Sequence, residues 1–491
     1  MALIELKLPA GIYSNGTEYE SSGRWNSGNL IRWQNDSIRP VGGWNTRVAN
    51  VVDEPPRAAH AWIDNSHDPH IALGTYNQLY VVSASGTATD ITPAGFTVGL
   101  NDAAENVGFG GKAYGTGNYG VERPTDGVVL EATTWQLDNW GEYLVGCSVD
   151  DGKLYEWDLV ASTAYQITNS PEDCVGILAT AERFIFALGA GGNPRMVAWC
   201  DREDNTTWTP EATNEAGDFE LQTDGEIMCG CKVRGRTLIV TTRDAHIATY
   251  NGPPTVYGFE RVGTSCGTSS RKSLVAVGEG AFWMGKNNFF MFNGSSVSVV
   301  KCDVLDHVFN DINRAQISKS FGVHNGRFGE IWWFYPSEGS TENDKYVAYD
   351  YQDGVWTVGD LSRTAGFDAG VFTTPVWFDA VGTAYNHETG HAYDGNLPYV
   401  ESGPISIGVG DNVMHLTQLI PDELNAGQVT AVVKTRFHPN DTEREYGPYS
   451  MNNPTSIRAT GRQIKVKFTG QEYADWRVGK MRINVEQGGK R

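Results

Sequence analysis

A short strand-turn-strand unit repeats along most of this 491-residue chain, and it constrains the fold more than any other feature. The unit is clearest at residues 274–300, where Gly278-Glu279-Gly280, Lys286-Asn287-Asn288 and Asn293-Gly294 separate apolar and aromatic runs. Gly- and Asn-rich peptides of this kind form tight turns between antiparallel strands. The stretch therefore predicts four short strands in one meander sheet.

Similar units begin near residues 70, 142, 183, 237, 281, 331 and 375. The third strand of most units ends in an aromatic residue followed by Asp or Asn, as in LYEWD, VAWCD, IATYNG, FFMFNG, YVAYD and HAYDG. Most intervals are 40 to 54 residues, which is typical of a β-propeller blade. The pattern predicts an all-β chain with a seven-bladed β-propeller over residues 50–396.

Two segments interrupt the repeat. A Gly-rich stretch fills the long first interval and predicts a loop insertion at residues 97–131. Residues 303–318 have the apolar spacing of an amphipathic helix behind Asp303 as N-cap, which predicts a helical insertion between two blades.

The two ends of the chain fall outside the repeat. In residues 1–49, a hairpin with strands at 30–33 and 38–41 is expected to close or brace the propeller by completing the sheet that begins at 375–395. After residue 397 the pattern changes, with strands predicted at 413–420, 429–437, 463–468 and 476–485. Residues 397–491 therefore predict a separate small C-terminal β domain, a sandwich or an extended platform.

The charge is unevenly distributed. The net charge is −21, but residues 431–491 carry 12 Lys+Arg and 6 Asp+Glu, so they hold +6 and the first 430 residues hold −27. An acidic body repels nucleic acid phosphates, so non-specific DNA binding is not expected. The seven Cys are scattered within strands, which favours reduced, buried thiols in a protein made in a cytoplasm. No long apolar segment predicts a membrane span.

Residues His387, Glu388 and His391 match the H-E-x-x-H motif, which binds zinc when a helix places both imidazoles on one face. Here the motif lies in a predicted strand-turn-strand segment, and Gly390 is a poor residue for a helix interior. We predict that the two His are cross-strand neighbours with a structural role, without bound zinc and without proteolytic activity.

Residues 148–155, SVDDGKLY, resemble the Asp-box turn of sialidases, although Leu154 departs from it. The box occurs once, and an Asp-Gly turn between strands is explained by hairpin chemistry. No arginine triad or carboxylate pair can be assigned from the sequence. We therefore predict no enzymatic activity, no catalytic, cofactor-binding or metal-binding residues, and no cofactor.

Four longer stretches, residues 23–44, 197–221, 262–303 and 436–491, carry a family resemblance. They resemble the tail nozzle or hub proteins of short-tailed bacteriophages, which are similar in role to packaged-DNA stabilisation proteins. The resemblance implies a structural virion protein of the tail, assembled in the bacterial cytoplasm as a homohexameric ring below the portal and adaptor. It also implies that the genome is retained in, and then passes through, the enclosed channel without specific binding.

A glycan-binding or glycan-cleaving β-propeller is the alternative, in which Trp and Tyr would stack on sugars. Their position inside strands favours a role in the blade core instead. An open central cavity with arginines and paired carboxylates would favour the glycan function, and closed packing with hexamer contacts would favour the nozzle.

Overall fold

The computed structural model of the chain describes residues 2–105, 129–406, 412–421, 427–452 and 454–489. Seven four-stranded antiparallel sheets follow one another and form blades 1 to 7, with strands a to d counted from the axis outward. Strand a of each blade contacts strand a of the next, and blade 7 contacts blade 1, so the ring of blades is closed. The predicted all-β fold, a seven-bladed propeller with a small C-terminal β domain, is confirmed.

In order a to d, blade 1 contains Ala58–Ile63, Pro69–Gly74, Leu79–Ser83 and Ala88–Asp90; blade 2 contains Trp135–Trp140, Tyr143–Ser148, Leu154–Trp157 and Tyr165–Gln166; and blade 3 contains Gly176–Ala179, Ile185–Leu188, Met196–Trp199 and Gly217–Glu220. Blade 4 contains Ile227–Val233, Arg236–Thr241, Ala245–Tyr250 and Tyr257–Gly263, and blade 5 contains Val275–Val277, Gly280–Met284, Phe289–Phe292 and Val297–Val300. Blade 6 contains Phe321–Asn325, Glu330–Tyr335, Lys345–Asp350 and Val355–Asp360, and blade 7 contains Ala365–Phe367, Val376–Phe378, Ala384–His387 and Trp44–Val48.

The starts of the sequence repeat correspond to strand b of each blade, and the aromatic-Asx ending marks strand c. Blade 7 departs from this pattern. Its strand c is Ala384–His387, and the predicted HAYDG ending at residues 391–395 lies in the turns that follow. Gly390 and Gly395 have positive φ there, so this segment cannot continue the strand.

Inner and middle strands of neighbouring blades pack closely. A Cβ atom at Gly322, in strand a of blade 6, would lie 2.5 Å from Val275 of blade 5 and 2.9 Å from Trp333. The Trp333 indole instead donates a 2.9 Å hydrogen bond to the Ser273 carbonyl. The small residue lets the indole join the two blades, and this contact satisfies the buried N–H.

The N-terminal region closes blade 7, although not through the predicted hairpin. Strand d is Trp44–Val48, which pairs with Ala384–His387 and completes the ring. The hairpin itself, Ile31–Gln34 with Ser37–Pro40, forms a separate two-stranded sheet. Leu30, just before the first strand, has positive φ, and Asn35 and Asp36, both with positive φ, form the turn between the two strands.

The remaining strands form two antiparallel sheets. Sheet A contains, in spatial order, Ala2–Leu6, Met481–Gln487, Met414–Ile420 and Thr455–Gly461. Sheet B contains Trp25–Asn29, Tyr399–Ser402, Gln463–Gly470, Val429–Arg436 and Arg444–Ser450. Buried side chains alternate with exposed ones along most of Thr455–Gly461 and with half-buried ones along most of Val429–Arg436, because one face of each sheet packs against the other. The two sheets form a sandwich.

Residues 1–49 are therefore divided between the two units: each sheet of the sandwich takes one strand from them, and blade 7 takes a third. The sandwich core also continues into the propeller. One apolar cluster joins Phe468 and Val466 of sheet B, through Trp25 and Trp33, to Trp356 of blade 6. The two units share a core, and the N-terminal segment lies between them.

The predicted helix over 303–318 is shorter in the structure, with α-helix only at Leu305–Phe309 and a 3-10 turn at Ile317–Lys319. Val308 and Phe309 are buried as the spacing predicted, but Asn310 and Asp311 favour turns and end the helix. Other 3-10 turns are Glu18–Ser21 and Ala190–Gly192.

The ends of the predicted 97–131 insertion pair as Ala104–Glu105 and Val129–Leu130, and residues 106–128 of that prediction lie outside the described residues. None of the helices in the described part of the chain is long and apolar enough to cross a membrane.

Candidate site in the propeller channel

A cavity of about 150 Å³ lies on the propeller axis, and the inner strands of the seven blades surround it. Its wall is formed by Ala58 and Ala59, Gln136 to Asp138, Ile177 and Leu178, Cys229 and Gly230, Leu274, Phe321 and Gly322, and Ala365 and Gly366, together with Arg57, Arg271 and Lys272. The cations precede strand a of blades 1 and 5, so the fold brings them to one end of the channel.

Asp138 is the one carboxylate among the described residues that line this cavity. Its side chain is already occupied, because the Lys232 amine lies 3.0 Å away and the Ala179 backbone N–H donates to it at 3.0 Å. Lys232 is near the end of its strand in blade 4, whereas Asp138 belongs to blade 2. This ion pair links blades 2 and 4 beside the cavity.

Both arginines in the wall are also partnered. Arg57 forms a bidentate pair with Glu342, with both N–O distances 2.7 Å. Arg271 donates to the carbonyl oxygens of Ile227 and Met228 at 3.3 and 3.1 Å and lies 3.4 Å from Glu131. These guanidinium groups hold the wall together.

Lys272 differs from these cations. Its amine makes no hydrogen bond or ion pair within the described ranges, although it lines the cavity. Burial lowers the pKa of Lys272 to about 8, and the electrostatic attraction of Cys229, followed by that of Asp138, only partly opposes this. Among the residues that the structure describes, no carboxylate contacts this basic amine.

The end of the channel where the inner strands begin is covered by the described ends of the 97–131 insertion. Lys319, whose side chain is fully buried, contacts Asp102 at 2.5 Å and Glu342 at 2.8 Å. The Ala103 backbone N–H donates to Gln316 at 2.9 Å. Residues 101–103 and 131–132, named here the cap, therefore link the blade 1 to blade 2 connection with blade 6.

Ionic contacts stabilise the cap. Burial alone would raise the pKa of Glu342, but hydrogen bonds and charges from Arg57 and Lys319 outweigh it and lower the pKa. The carboxylate is therefore ionised at neutral pH and holds two cations together.

The H-E-x-x-H residues are not brought together as a site. His387 ends strand c of blade 7 and pairs in register with Trp44, so the prediction that His391 is its cross-strand neighbour is wrong. His387 accepts a 3.0 Å hydrogen bond from Arg363 Nε and stacks on Trp377 at 4.0 Å, whereas His391 contacts the Tyr393 hydroxyl. The turn directs the two imidazoles to different partners.

Glu388 has a structural partner. It binds Arg32 at 2.5 Å, and Arg32 binds Glu330 of blade 6 at 2.8 Å. Burial alone would lower the pKa of Arg32, but the two carboxylates outweigh that effect and raise it. This buried triad attaches the N-terminal hairpin to blades 6 and 7. The spacing of the H-E-x-x-H motif does not predict this role of Glu388.

The Asp-box carboxylates also have local partners. Asp150 accepts from the Thr133 hydroxyl, and Asp151 accepts from the Thr97 backbone N–H at 2.9 Å and from the Tyr155 hydroxyl. The box therefore fixes the two ends of the insertion against blade 2.

The seven cysteines are free thiols, and burial raises the pKa of Cys229 to about 12. Among the described residues, no group of three or more His, Cys, Asp and Glu side chains is placed to hold a metal. No sequence motif predicts the cations of the cavity, because Arg57 is an isolated basic residue and Arg271 and Lys272 form only a short basic pair. The one sequence signal for these cations is the position of a Lys or Arg shortly before strand a of a blade.

Neither a family-wide sequence profile nor a curated protein matches this chain. Solved structures align with it at low identity. Virginiamycin B lyase from Staphylococcus aureus has 8% identity over 70% of this chain and 98% of that chain, with a TM-score of 0.44. The Neurospora crassa Pan2 WD40 domain has 9% identity over 72% and 97%, with a TM-score of 0.39. Likenesses at this level assign no function to the chain.

The prediction that the chain has no enzymatic activity is corrected here. Structures that align with it include a streptogramin B lyase, with 9% identity and a TM-score of 0.40, as well as the virginiamycin B lyase. Enzymes therefore occur among the structures that align with this chain, and the lack of an assignable motif in the sequence does not exclude catalysis.

Proposed function

We propose that this chain is a structural subunit of a bacteriophage tail, forming the homohexameric nozzle or hub ring below the portal and adaptor. The proposal rests on the resemblance of four stretches to that family, at residues 23–44, 197–221, 262–303 and 436–491. We propose further that the protein is located in the virion, and that the ring retains the genome and then lets it pass.

One structural observation carries the proposal: the sandwich ends in an open edge strand, whereas the inner strands of the blades form a closed ring and only their outer strands have open edges. The inner strands of adjacent blades contact one another around the axis. Sheet B ends at Arg444–Ser450, a strand paired on one side only, whose residues are mostly exposed. Open edge strands can pair with another chain. A rigid wedge with one open-edged unit is suited to ring formation.

The basic charge of the sandwich is partly used internally. Lys434 contacts Glu401 at 2.9 Å, and Arg436 contacts Glu18 at 2.7 Å. Lys465 also contacts Glu18. Three exposed arginines make no ion pair in the described part of the chain: Arg444, Arg458 and Arg482. We assign contact with an acidic neighbouring ring to these three residues.

The DNA path would lie between subunits. The propeller channel is far too small for a duplex, because the cavity on its axis has a volume of only about 150 Å³ and the cap covers one end. A ring of bodies with −27 over residues 1–430 would present carboxylates to DNA, which favours passage over adhesion.

Electron microscopy of the purified chain, alone and with the portal-adaptor complex, tests the proposal. We expect six-fold rings that attach to the adaptor. The triple variant Arg444→Glu, Arg458→Glu, Arg482→Glu should lose attachment while keeping its fold, because the basic contact surface becomes acidic. A chain that remains monomeric and never attaches would contradict the proposal.

A matched triple variant controls for the change in net charge. Arg202→Glu, Arg243→Glu, Lys286→Glu reverses three exposed cations of the propeller, so its net charge equals that of the sandwich variant. We expect this variant to attach to the adaptor normally. Equal loss of attachment in both variants would show that total charge, rather than the sandwich surface, controls assembly.

DNA binding provides a second test. We expect negligible duplex binding by the isolated chain at physiological salt. Tight binding whose affinity falls steeply with salt would show that the acidic surface does not face the genome.

A further inference from the structure

We propose that the axial cavity is a binding site for a small oxyanion of the size of inorganic phosphate, with Lys272 as its counter-ion. This site is separate from the ring contacts proposed above and does not depend on them. It is formed within one chain by all seven blades.

The first support is the charge of the cavity and its surroundings. The cations are Arg57, Lys232, Arg271, Lys272 and Lys319. The carboxylates are Asp102, Glu131, Asp138 and Glu342. Among the described residues the cluster therefore has one positive charge in excess. Each cation except Lys272 has a carboxylate within 3.4 Å.

The second support is the position of that excess charge. Lys272 lines a cavity that has room for a small anion, and the neighbouring Cys229 thiol stays neutral at pH 7 because burial raises its pKa to about 12. Lys272 is half-buried, and a partly desolvated cation without a partner is costly, so a bound anion would reduce that cost.

The wall is also suited to close approach by a ligand. Gly230, Gly322 and Gly366 line the cavity with their backbone. A Cβ atom at Gly322 or Gly366 would meet the packed indole of Trp333 or Trp377. Gln136 provides a polar side chain, and its amide already donates to the Met228 carbonyl at 3.1 Å. A compact anion with several acceptor oxygens matches this combination of a cation and polar wall groups better than an extended ligand does.

Isothermal titration calorimetry of the full chain with inorganic phosphate, in a chloride buffer at pH 7, tests the site. We expect saturable binding of one phosphate per chain. Lys272→Met should weaken binding about tenfold or more, since a hydrogen-bonded charge is lost. Lys272→Arg, which keeps the charge, should retain binding, and Lys301→Met, at an exposed lysine, should match the wild type.

The pH dependence gives a readout that needs no variant. Phosphate gains negative charge as the pH rises, but Lys272, with a pKa of about 8, loses its positive charge. Binding that weakens between pH 7 and 9.5 supports the site even if Lys272→Met does not fold. Absence of saturable phosphate binding would overturn the proposal, whether or not acetate binds in its place, and so would wild-type affinity in a folded Lys272→Met variant.

Discussion

In the propeller, every blade except the last is made from one continuous stretch of chain, whereas the sandwich pairs Ala2–Leu6 with Met481–Gln487 and Trp25–Asn29 with Tyr399–Ser402. The blades form through local hairpins, which cost little loop-closure entropy. The sandwich needs both ends of the chain at once, so it depends on contacts of very large sequence separation. The N-terminal segment belongs to both units, and this makes it the part of the chain on which the whole fold depends.

Weakening the packing of the closing strand of blade 7 should have the largest effect on stability. Trp44 is buried against His387 and Tyr393, and its indole donates to Asp394 at 2.7 Å. Trp44→Ala should cost about 3–5 kcal/mol of unfolding free energy in urea denaturation. Phe219→Ala, in the outer strand of blade 3, should cost about 1 kcal/mol, because Phe219 is 37% exposed and its strand pairs locally. Equal losses would contradict a special role for the closing strand.

Breaking the buried triad should have the next largest effect. Arg32→Met leaves Glu330 and Glu388 without their cation, so we expect a loss of about 3 kcal/mol in the same assay. Arg39→Met provides the control, because its partner Asp475 is 47% exposed, and it should cost at most about 1 kcal/mol. If the two variants lose the same stability, the hairpin is not held by its buried charges.

Acid should weaken the propeller through His387. Burial, followed by the charge of Arg363, lowers the pKa of His387 well below its usual 6.5. The unfolded chain then binds a proton that the folded chain does not, so stability is lost as the pH falls below about 6.5. In His387→Gln, whose amide oxygen can still accept from Arg363, the loss between pH 7 and 5.5 should be smaller by about 1 kcal/mol. An unchanged pH profile would mean that His387 is not buried as a neutral group.

The internal ion pairs of the sandwich should have the smallest effect. Lys434→Gln removes a partly buried pair with Glu401 and should cost less than about 1 kcal/mol, measured by thermal or urea unfolding. It should leave ring attachment unchanged, unlike the triple arginine variant. Loss of attachment in Lys434→Gln would show that the paired basic residues, not the exposed ones, make the contact.

The sequence predicted the parts of the molecule that depend on local patterns. Turns such as Asn293-Gly294 and the strands they separate recur along the chain, so blade number and order followed from spacing alone. The pairing of Ala2–Leu6 with Met481–Gln487 has no local signal, because register there is set by a shared core formed from distant segments. For the same reason the sequence did not predict the Arg32 triad or the cavity around Lys272, whose members come from distant segments of the chain.

Hydrogen–deuterium exchange of the chain, free and assembled in rings, tests most directly the claim that the closed propeller is the body and the open sandwich makes the contacts. We predict that backbone amides of Arg444–Ser450 become protected on ring formation while those of the inner blade strands stay unchanged. Protection confined to the outer strands of the blades, with Arg444–Ser450 exchanging as in the free chain, would contradict the account.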